Sequence, residues 1–358
     1  MHKVGQDDAS HDAPGVRELR DNAAARSSIA NDASTVCGGT AWLWSRSDFV
    51  EAVDVLFVDE AGQMSLADVL ASARGARSIV LLGDPQQLEQ PQQGSHPDGT
   101  NVSALEHLLG GALTMAPERG LFLEETWRLN PALCAFTSEL FYENRLHARP
   151  GLEAQVIAGE SALAGAGLWY SPVVHVGNQS AAPEEVERVV ALVHELMREG
   201  MTWIDAKGHG RALTQDDILI VAPYNAQVGE IARALPNARV GTVDKFQGQE
   251  AAVVIYSMAT SSPEDAPRGM EFLYNTNRLN VATSRARCAC ILVASAALFE
   301  PECRTPEQMR MANAYCRYLE LARTVTPAPT GDLFDRPTWR ITRTVRVDAG
   351  ASPRRSTH

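Results

Sequence analysis

Nowhere in these 358 residues is a glycine followed by Lys-Thr or Lys-Ser. A phosphate-binding loop needs a Gly-rich turn, a Lys for the β- and γ-phosphates and a Ser or Thr for Mg²⁺. Lys207-Gly208-His209-Gly210 has glycines, but its lysine precedes them and no strand leads in. Long apolar runs are missing too: none approaches the ~20 residues that span a bilayer. Met1–Asp8 holds no apolar core of a secretory signal. The six cysteines, Cys37, Cys134, Cys288, Cys290, Cys303 and Cys316, form no Cys-x-x-Cys pair. That spacing predicts buried free thiols, not a metal centre, and a cytoplasmic protein without a membrane partner. Positive charge is short as well. A net charge of −12 argues against a wholly basic nucleic-acid coat, while leaving room for a local groove. No repeat of fixed period occurs.

The length allows two domains with real cores, and 45% hydrophobic with 21% charged residues is ordinary for a globular chain. The chain is organised around Val53-Asp54-Val55-Leu56-Phe57-Val58-Asp59-Glu60-Ala61-Gly62-Gln63. Its nearly continuous apolar run predicts a parallel strand buried on both faces. The run stops at Asp59 and Glu60. Beyond the carboxyl end of such a strand ligands bind, and two acids there suit Mg²⁺ and a polarised water; two solvated acids capping a helix are the plain alternative. Residues 78–88 repeat the design, an apolar strand breaking into Gly83-Asp84-Pro85-Gln86-Gln87-Leu88.

The ordered pair Asp-Glu-Ala-Gly-Gln and Gly-Asp-Pro-Gln-Gln-Leu resembles motifs II and III of superfamily 1 helicases, in the 5′→3′ branch that includes the nonsense-mediated-decay helicases. Val240-Gly241-Thr242-Val243-Asp244-Lys245-Phe246-Gln247-Gly248-Gln249-Glu250 resembles motif V, and Asn277 to Arg287 resembles motif VI. Ala222-Pro223-Tyr224-Asn225 matches a family loop that touches the nucleic-acid backbone. Gly39-Thr40-Ala41-Trp42-Leu43-Trp44 and Met258 to Gly269 look closer still to bacterial proteins in which a RecB-like nuclease precedes the helicase.

Between these motifs the coarse reading is alternating strands and helices. A helix is expected within 16–30, a short strand and loop over 35–44, and a helix over 64–75 with Leu66, Val69 and Leu70 inward. Further helices are expected over 102–109, 131–140, 183–199, 226–235 and 306–321. Strands are expected at 168–170, 173–176, 217–222, 252–258 and 288–294. Trp42 and Trp44 either stack on bases or split between core and surface. Tyr224 and Asn225 either meet nucleic acid or make a turn and helix cap. From Arg323 onward periodicity disappears, which predicts a disordered tail.

The resemblance implies an α/β fold of two RecA-like P-loop NTPase-type domains with mainly parallel sheets, the first incomplete. Residues 1–34 would be a polar segment, 35–120 the partial first domain, 121–322 the second and 323–358 the tail. It implies ATP and Mg²⁺ as cofactors, with Asp59 holding the metal and Glu60 activating water. Gln87 would sense the γ-phosphate, Arg128 and Arg285 would neutralise it, and Gly248 and Glu250 would meet the nucleotide. Arg287 is secondary. Thr40, Trp42, Pro223, Tyr224, Asn225 and Thr242, with Gln247 nearby, would meet the partner, a single strand of DNA in preference to RNA. The activity implied is an ATP-dependent translocating helicase, weak in this chain alone because the phosphate loop is missing. The alternatives are a non-catalytic nucleic-acid-binding remnant and a truncated product with no function of its own.

Overall fold

The computed structural model describes residues 18–31, 36–88, 102–246 and 248–326. The described residues belong to one compact unit, and residues 327–358 lie outside them. Helix α1 (Asn22–Asn31) falls in the expected stretch, with a thin apolar face of which Ala25 is buried. Residues 41–44 are not a strand. They form one helical turn, α2 (Ala41–Trp44), which turns Leu43 and Trp44 together into a small core and leaves Trp42 outside. A strand would have sent those two neighbours to opposite faces. Trp44 packs edge-on against Phe49, ring centroids 5.9 Å apart.

Strand β1 (Val53–Val58), helix α3 (Leu66–Ala73) and strand β2 (Ala76–Leu81) make a βαβ unit with β1 and β2 parallel, Val53 opposite Ala76. Ser65 caps α3 by accepting the Asp68 amide at 3.0 Å. Only one face of β1 is covered, contrary to the expectation of burial on both. Leu56 and Val58 are buried, whereas Val55 and Phe57 are 41% and 64% exposed. Leu70, expected inward, is also exposed. A two-stranded sheet is too narrow to shelter either side fully. Phe57→Ser is therefore expected to reduce binding of an apolar-surface dye while shifting stability by no more than about 0.5 kcal/mol. A loss of several times that in urea unfolding would mean the ring is packed.

Helix α4 (Ala104–Leu109) opens on a capping box of Ser103 and Glu106 and closes on Gly110 at φ 60°. Residues 110–124 carry no helix or strand. Then follow β3 (Glu125–Thr126), α5 (Pro131–Phe141), β4 (His147–Ala148), β5 (Val156–Ala158), β6 (Gly167–Pro172), α6 (Pro183–Leu196), β7 (Thr202–Ile204) and β8 (Gly210–Ala212). The chain continues through β9 (Ile218–Val221), α7 (Asn225–Ala234), β10 (Arg239–Gly241), β11 (Ala251–Ser257), α8 (Met270–Leu273), α9 (Thr276–Ser284), β12 (Ala286–Ala294), α10 (Pro306–Leu321) and β13 (Arg323–Thr324). The expected strand at 173–176 does not form, and Val174 and Val176 stand exposed.

Six strands form one wholly parallel sheet in the order β10-β9-β11-β12-β6-β13. Every residue of β9 and β11 is buried, as continuous apolar runs require when helices cover both faces. One core gathers α5, α9 and α10 residues such as Leu133, Leu279 and Tyr318. The other gathers α6 and α7 residues such as Val189, Leu192 and Ile231. Arg323 and Thr324, assigned above to a tail, instead pair with Trp169 and Tyr170 as the sheet's edge. Among the described residues no helix is long and apolar enough to cross a membrane.

Candidate functional site: an arginine cluster at the strand ends

The loops after β1 and β2 interlock through two glycines. A Cβ on Gly62 would meet the Asp84 carbonyl oxygen at 2.6 Å, and one on Gly83 (φ 154°) would meet the Ala61 amide nitrogen at 2.8 Å. Glu60 itself sits at φ 53°, a conformation that costs a non-glycine residue energy and recurs at functional sites. Asp59 and Glu60 are both exposed, and Asp59 Oδ1 accepts the Glu60 amide at 3.0 Å.

Asp84, given no role by the sequence reading, joins this loop to the helices. It accepts from the Tyr142 hydroxyl, from Gln87 Nε2 at 3.0 Å and from the Gln86 amide at 2.9 Å. Asn280 of α9 donates to the Tyr142 oxygen at 3.0 Å and to the Gln86 carbonyl at 2.8 Å. Burial, then the Asp84 carboxylate, pushes the Tyr142 phenol far above its ordinary range. It stays a neutral donor at any physiological pH.

Gln87 Oε1 accepts from Arg285 Nη2 at 3.4 Å. Arg285 closes α9 and is only 5% exposed, and its Nε has no hydrogen-bond partner among the described residues. Burial, then the charge of Arg128, pulls its pKa below the usual arginine range, against Glu60, Glu250 and Asp84. Arg128 is differently placed: it pairs with Glu250 and donates to the Ser284 carbonyl at 3.1 Å. Arg287 takes the other Glu250 oxygen, its Nε at 3.1 Å. Thus Gln87 bonds Arg285, and the charges of Arg128, Glu60 and Glu250 act on it, while Asp59 is placed only by its contact with the Glu60 amide.

Glu250 is desolvated, which would raise its pKa, yet Arg287 and Arg128 outweigh this and hold it below the usual glutamate range. A depressed carboxyl adds stability above its unfolded pKa and loses it as pH falls through the lower folded value. Glu250→Gln should therefore shrink the difference in urea midpoint between pH 7 and pH 3. An unaltered difference would show that the pair, about a third exposed, is screened to insignificance.

Beside this cluster lies a cavity of about 240 Å³ lined by Trp127, Arg128, Gln155, Asp205, Ala206, Lys207, Glu250 and Arg287. Trp127 is 71% exposed, with Arg149 stacked 3.4 Å from its ring centroid. The sequence reading missed Trp127 because a Trp-Arg pair reads as surface packing. Lys207 reaches the cavity on the β7–β8 hairpin, whose three-residue strands carry too little periodicity to be read.

Asp59 fits a magnesium ion, which binds through one or two carboxylates plus phosphate oxygens and water. Among the described residues no three His, Cys, Asp or Glu side chains cluster as a metal cage, so phosphate would have to complete the shell. The expected nucleic-acid residues do not share one displayed surface. Thr40, Trp42 and Asn225 are exposed and Thr242 is half-buried, but Pro223 and Tyr224 are buried. The Tyr224 ring packs on Phe272, centroids 5.4 Å apart, where it starts α7 as an apolar anchor. Gly248 is exposed at φ 74° with open space where a Cβ would go, so backbone conformation, not close approach, calls for glycine. Gln247 lies outside the described residues.

A family described as "AAA domain" matches residues 101–297, and one described as the viral superfamily 1 RNA helicase core domain matches residues 17–116. The RNA helicase Mov10l1 of Mus musculus is 30% identical over 277 residues, 66% of this chain and 22% of its own. The DNA replication ATP-dependent helicase/nuclease JHS1 of Arabidopsis thaliana is 25% identical over 68% of this chain and 19% of its own. The chain spans about a third or less of the length of the curated relatives it matches. The arterivirus nonstructural protein 10 helicase, solved with DNA, aligns over 66% of this chain and 38% of its own at 18% identity and a TM-score of 0.33.

Proposed function

The chain belongs to the family of AAA domains within the superfamily 1 helicases, and from that premise we propose that its arginine cluster receives the phosphates of ATP in a helicase driven along a single nucleic-acid strand. The observation that carries this reading is Arg285: a buried guanidinium with a free Nε, held toward Gln87 and the side of Glu60. A cation kept in that state gains most when an anion arrives. Mg²⁺ at Asp59, when bound, neutralises phosphate oxygens. Glu60 orients and deprotonates the attacking water, Gln87 reports the γ-phosphate to Arg285, and Glu250 fixes Arg128 and Arg287 at the cavity rim. The exposed face of Trp127 receives the base. Opening and closing between the β1–β2 portion and the six-stranded portion then moves the strand.

Single-stranded DNA is the proposed substrate, with a RecB-like nuclease domain as a partner upstream. RNA is the competing substrate, because a relative is an RNA helicase. The alternative keeps the cleft for binding alone, without catalysis. Titration of a fluorescent ATP analogue with Mg²⁺ tests the site. Arg285→Ala is expected to weaken binding about tenfold or more, the scale of a lost charged hydrogen bond. Equal affinity in wild type and variant would overturn the assignment.

A further inference from the structure

Two arginines that no carboxylate answers stand over a single ring. Arg268 Cζ lies 3.8 Å and Arg278 Cζ 3.9 Å from the centroid of Phe272. In a chain with 44 acidic residues, neither makes an ion pair among the described residues, where nine other arginines do. The nearest acids in sequence are turned elsewhere: Asp265 accepts from Ser262 Oγ at 2.9 Å, and Glu271 accepts from Gln308 Nε2 at 2.7 Å. Arg278 Nη1 is buried and has no hydrogen-bond partner among the described residues. A buried guanidinium nitrogen left unpaired is costly, and two like charges on one ring repel. An anion beside the exposed Arg268 would offset that repulsion.

The placement narrows the ligand. Tyr224 packs against Phe272 from the loop after β9, and both arginines act electrostatically on its phenol. The cluster therefore flanks the Pro223-Tyr224-Asn225 loop beyond the carboxyl end of β9, the end of a parallel sheet where ligands bind. Arg268 is exposed and Phe272 half-buried, so the Arg268 guanidinium plane is accessible while the ring holds it in place. An accessible planar cation beside an unpaired buried one suits a ligand that alternates anions with flat rings. We infer that Arg268, Phe272 and Arg278 form a contact site for single-stranded nucleic acid, a phosphate meeting Arg278 and Arg268 and a base stacking on Arg268. The site rests on the helicase reading and supplies what buried Tyr224 does not.

The test is fluorescence anisotropy of labelled oligo-dU and oligo-rU, which differ only in the sugar, against the full chain, from 50 to 200 mM salt. Arg268→Ala should weaken binding three- to tenfold and lower the salt slope by about one, as loss of one phosphate contact does. Phe272→Leu, which keeps an apolar side chain there, should weaken binding without lowering the slope as much. Arg233→Ala, an exposed arginine already paired with Glu230, controls for net charge. If Arg268→Ala matches Arg233→Ala in affinity and slope, or the wild type binds neither oligomer, the site is overturned. A preference between the two oligomers names the sugar, provided Arg268→Ala weakens the preferred one. Nucleotide titration with Arg285→Ala judges the helicase reading separately, so the two failures are told apart.

Discussion

Glu185→Ala is expected to destabilise the protein by about 3–5 kcal/mol, the cost of breaking a buried ionisable pair from one side. The Glu185 side chain is fully buried in the first turn of α6. Its Oε2 accepts from Ser257 Oγ at 2.6 Å and from the Ala259 amide at 2.9 Å, and its Oε1 lies 3.1 Å from His175 Nε2. His175 Nδ1 in turn meets Ser261 Oγ at 2.7 Å, and Gln227 donates to Ser257 Oγ at 2.8 Å. Alanine would orphan these donors together and release Ala259 from its φ of 65°, each loss costing about 1–3 kcal/mol. Urea unfolding with an unchanged m-value would measure the loss, and Glu185→Gln, which keeps one acceptor oxygen, should lose less. An alanine variant within about 1 kcal/mol of wild type would mean that water replaces the carboxylate, against its burial.

That network also marks where sequence stops informing. The periodicity of Val186, Val189, Val190, Val193, Leu196 and Met197 announces α6 and its buried face, because helix spacing is a local property, although Met197, just past the helix, is exposed. Glu185, one residue before that stripe, reads as a solvated acid. Its burial depends on β6, β11 and α7 converging above it. Likewise the apolar runs of β9, β11 and β12 announce central strands, and the motif order foretells that Gln87 and Arg285 meet across nearly two hundred residues. Phe57 misleads because a run suited to burial on both faces says nothing about whether a layer covers the second. Tyr224 misleads because an aromatic at a loop's end serves surface or core equally well. Asp84, Tyr142 and Asn280 were unreadable, since each acts through partners distant in sequence. Arg268 and Arg278 give no local sign either: only the structure shows which arginines have found a carboxylate.

ATP hydrolysis by this chain is expected to run at or below about 0.1 per second even with saturating single strand, too slow for the loss of the Glu60 base in Glu60→Gln to show clearly. Helicase-type chemistry places positioning and charge neutralisation ahead of any covalent step. The chain's three lysines, Lys3, Lys207 and Lys245, offer no substitute for a phosphate-loop lysine. Lys245 Nζ donates to the Val240 carbonyl at 3.0 Å, Lys207 lines the cavity at the Trp127 side, and Lys3 lies outside the described residues. Arg128 is committed to Glu250 and Ser284. Among the described residues the γ-phosphate would therefore meet arginines but no lysine, and a loosely held metal at Asp59. Loss of a single preorganised donor commonly lowers turnover ~10²–10³-fold from a typical ~10 per second. Phosphate release, measured with and without oligo-dT for wild type and Glu60→Gln, decides it. Turnover above about 1 per second that Glu60→Gln abolishes would mean that other residues of this chain cradle the phosphates and complete the site.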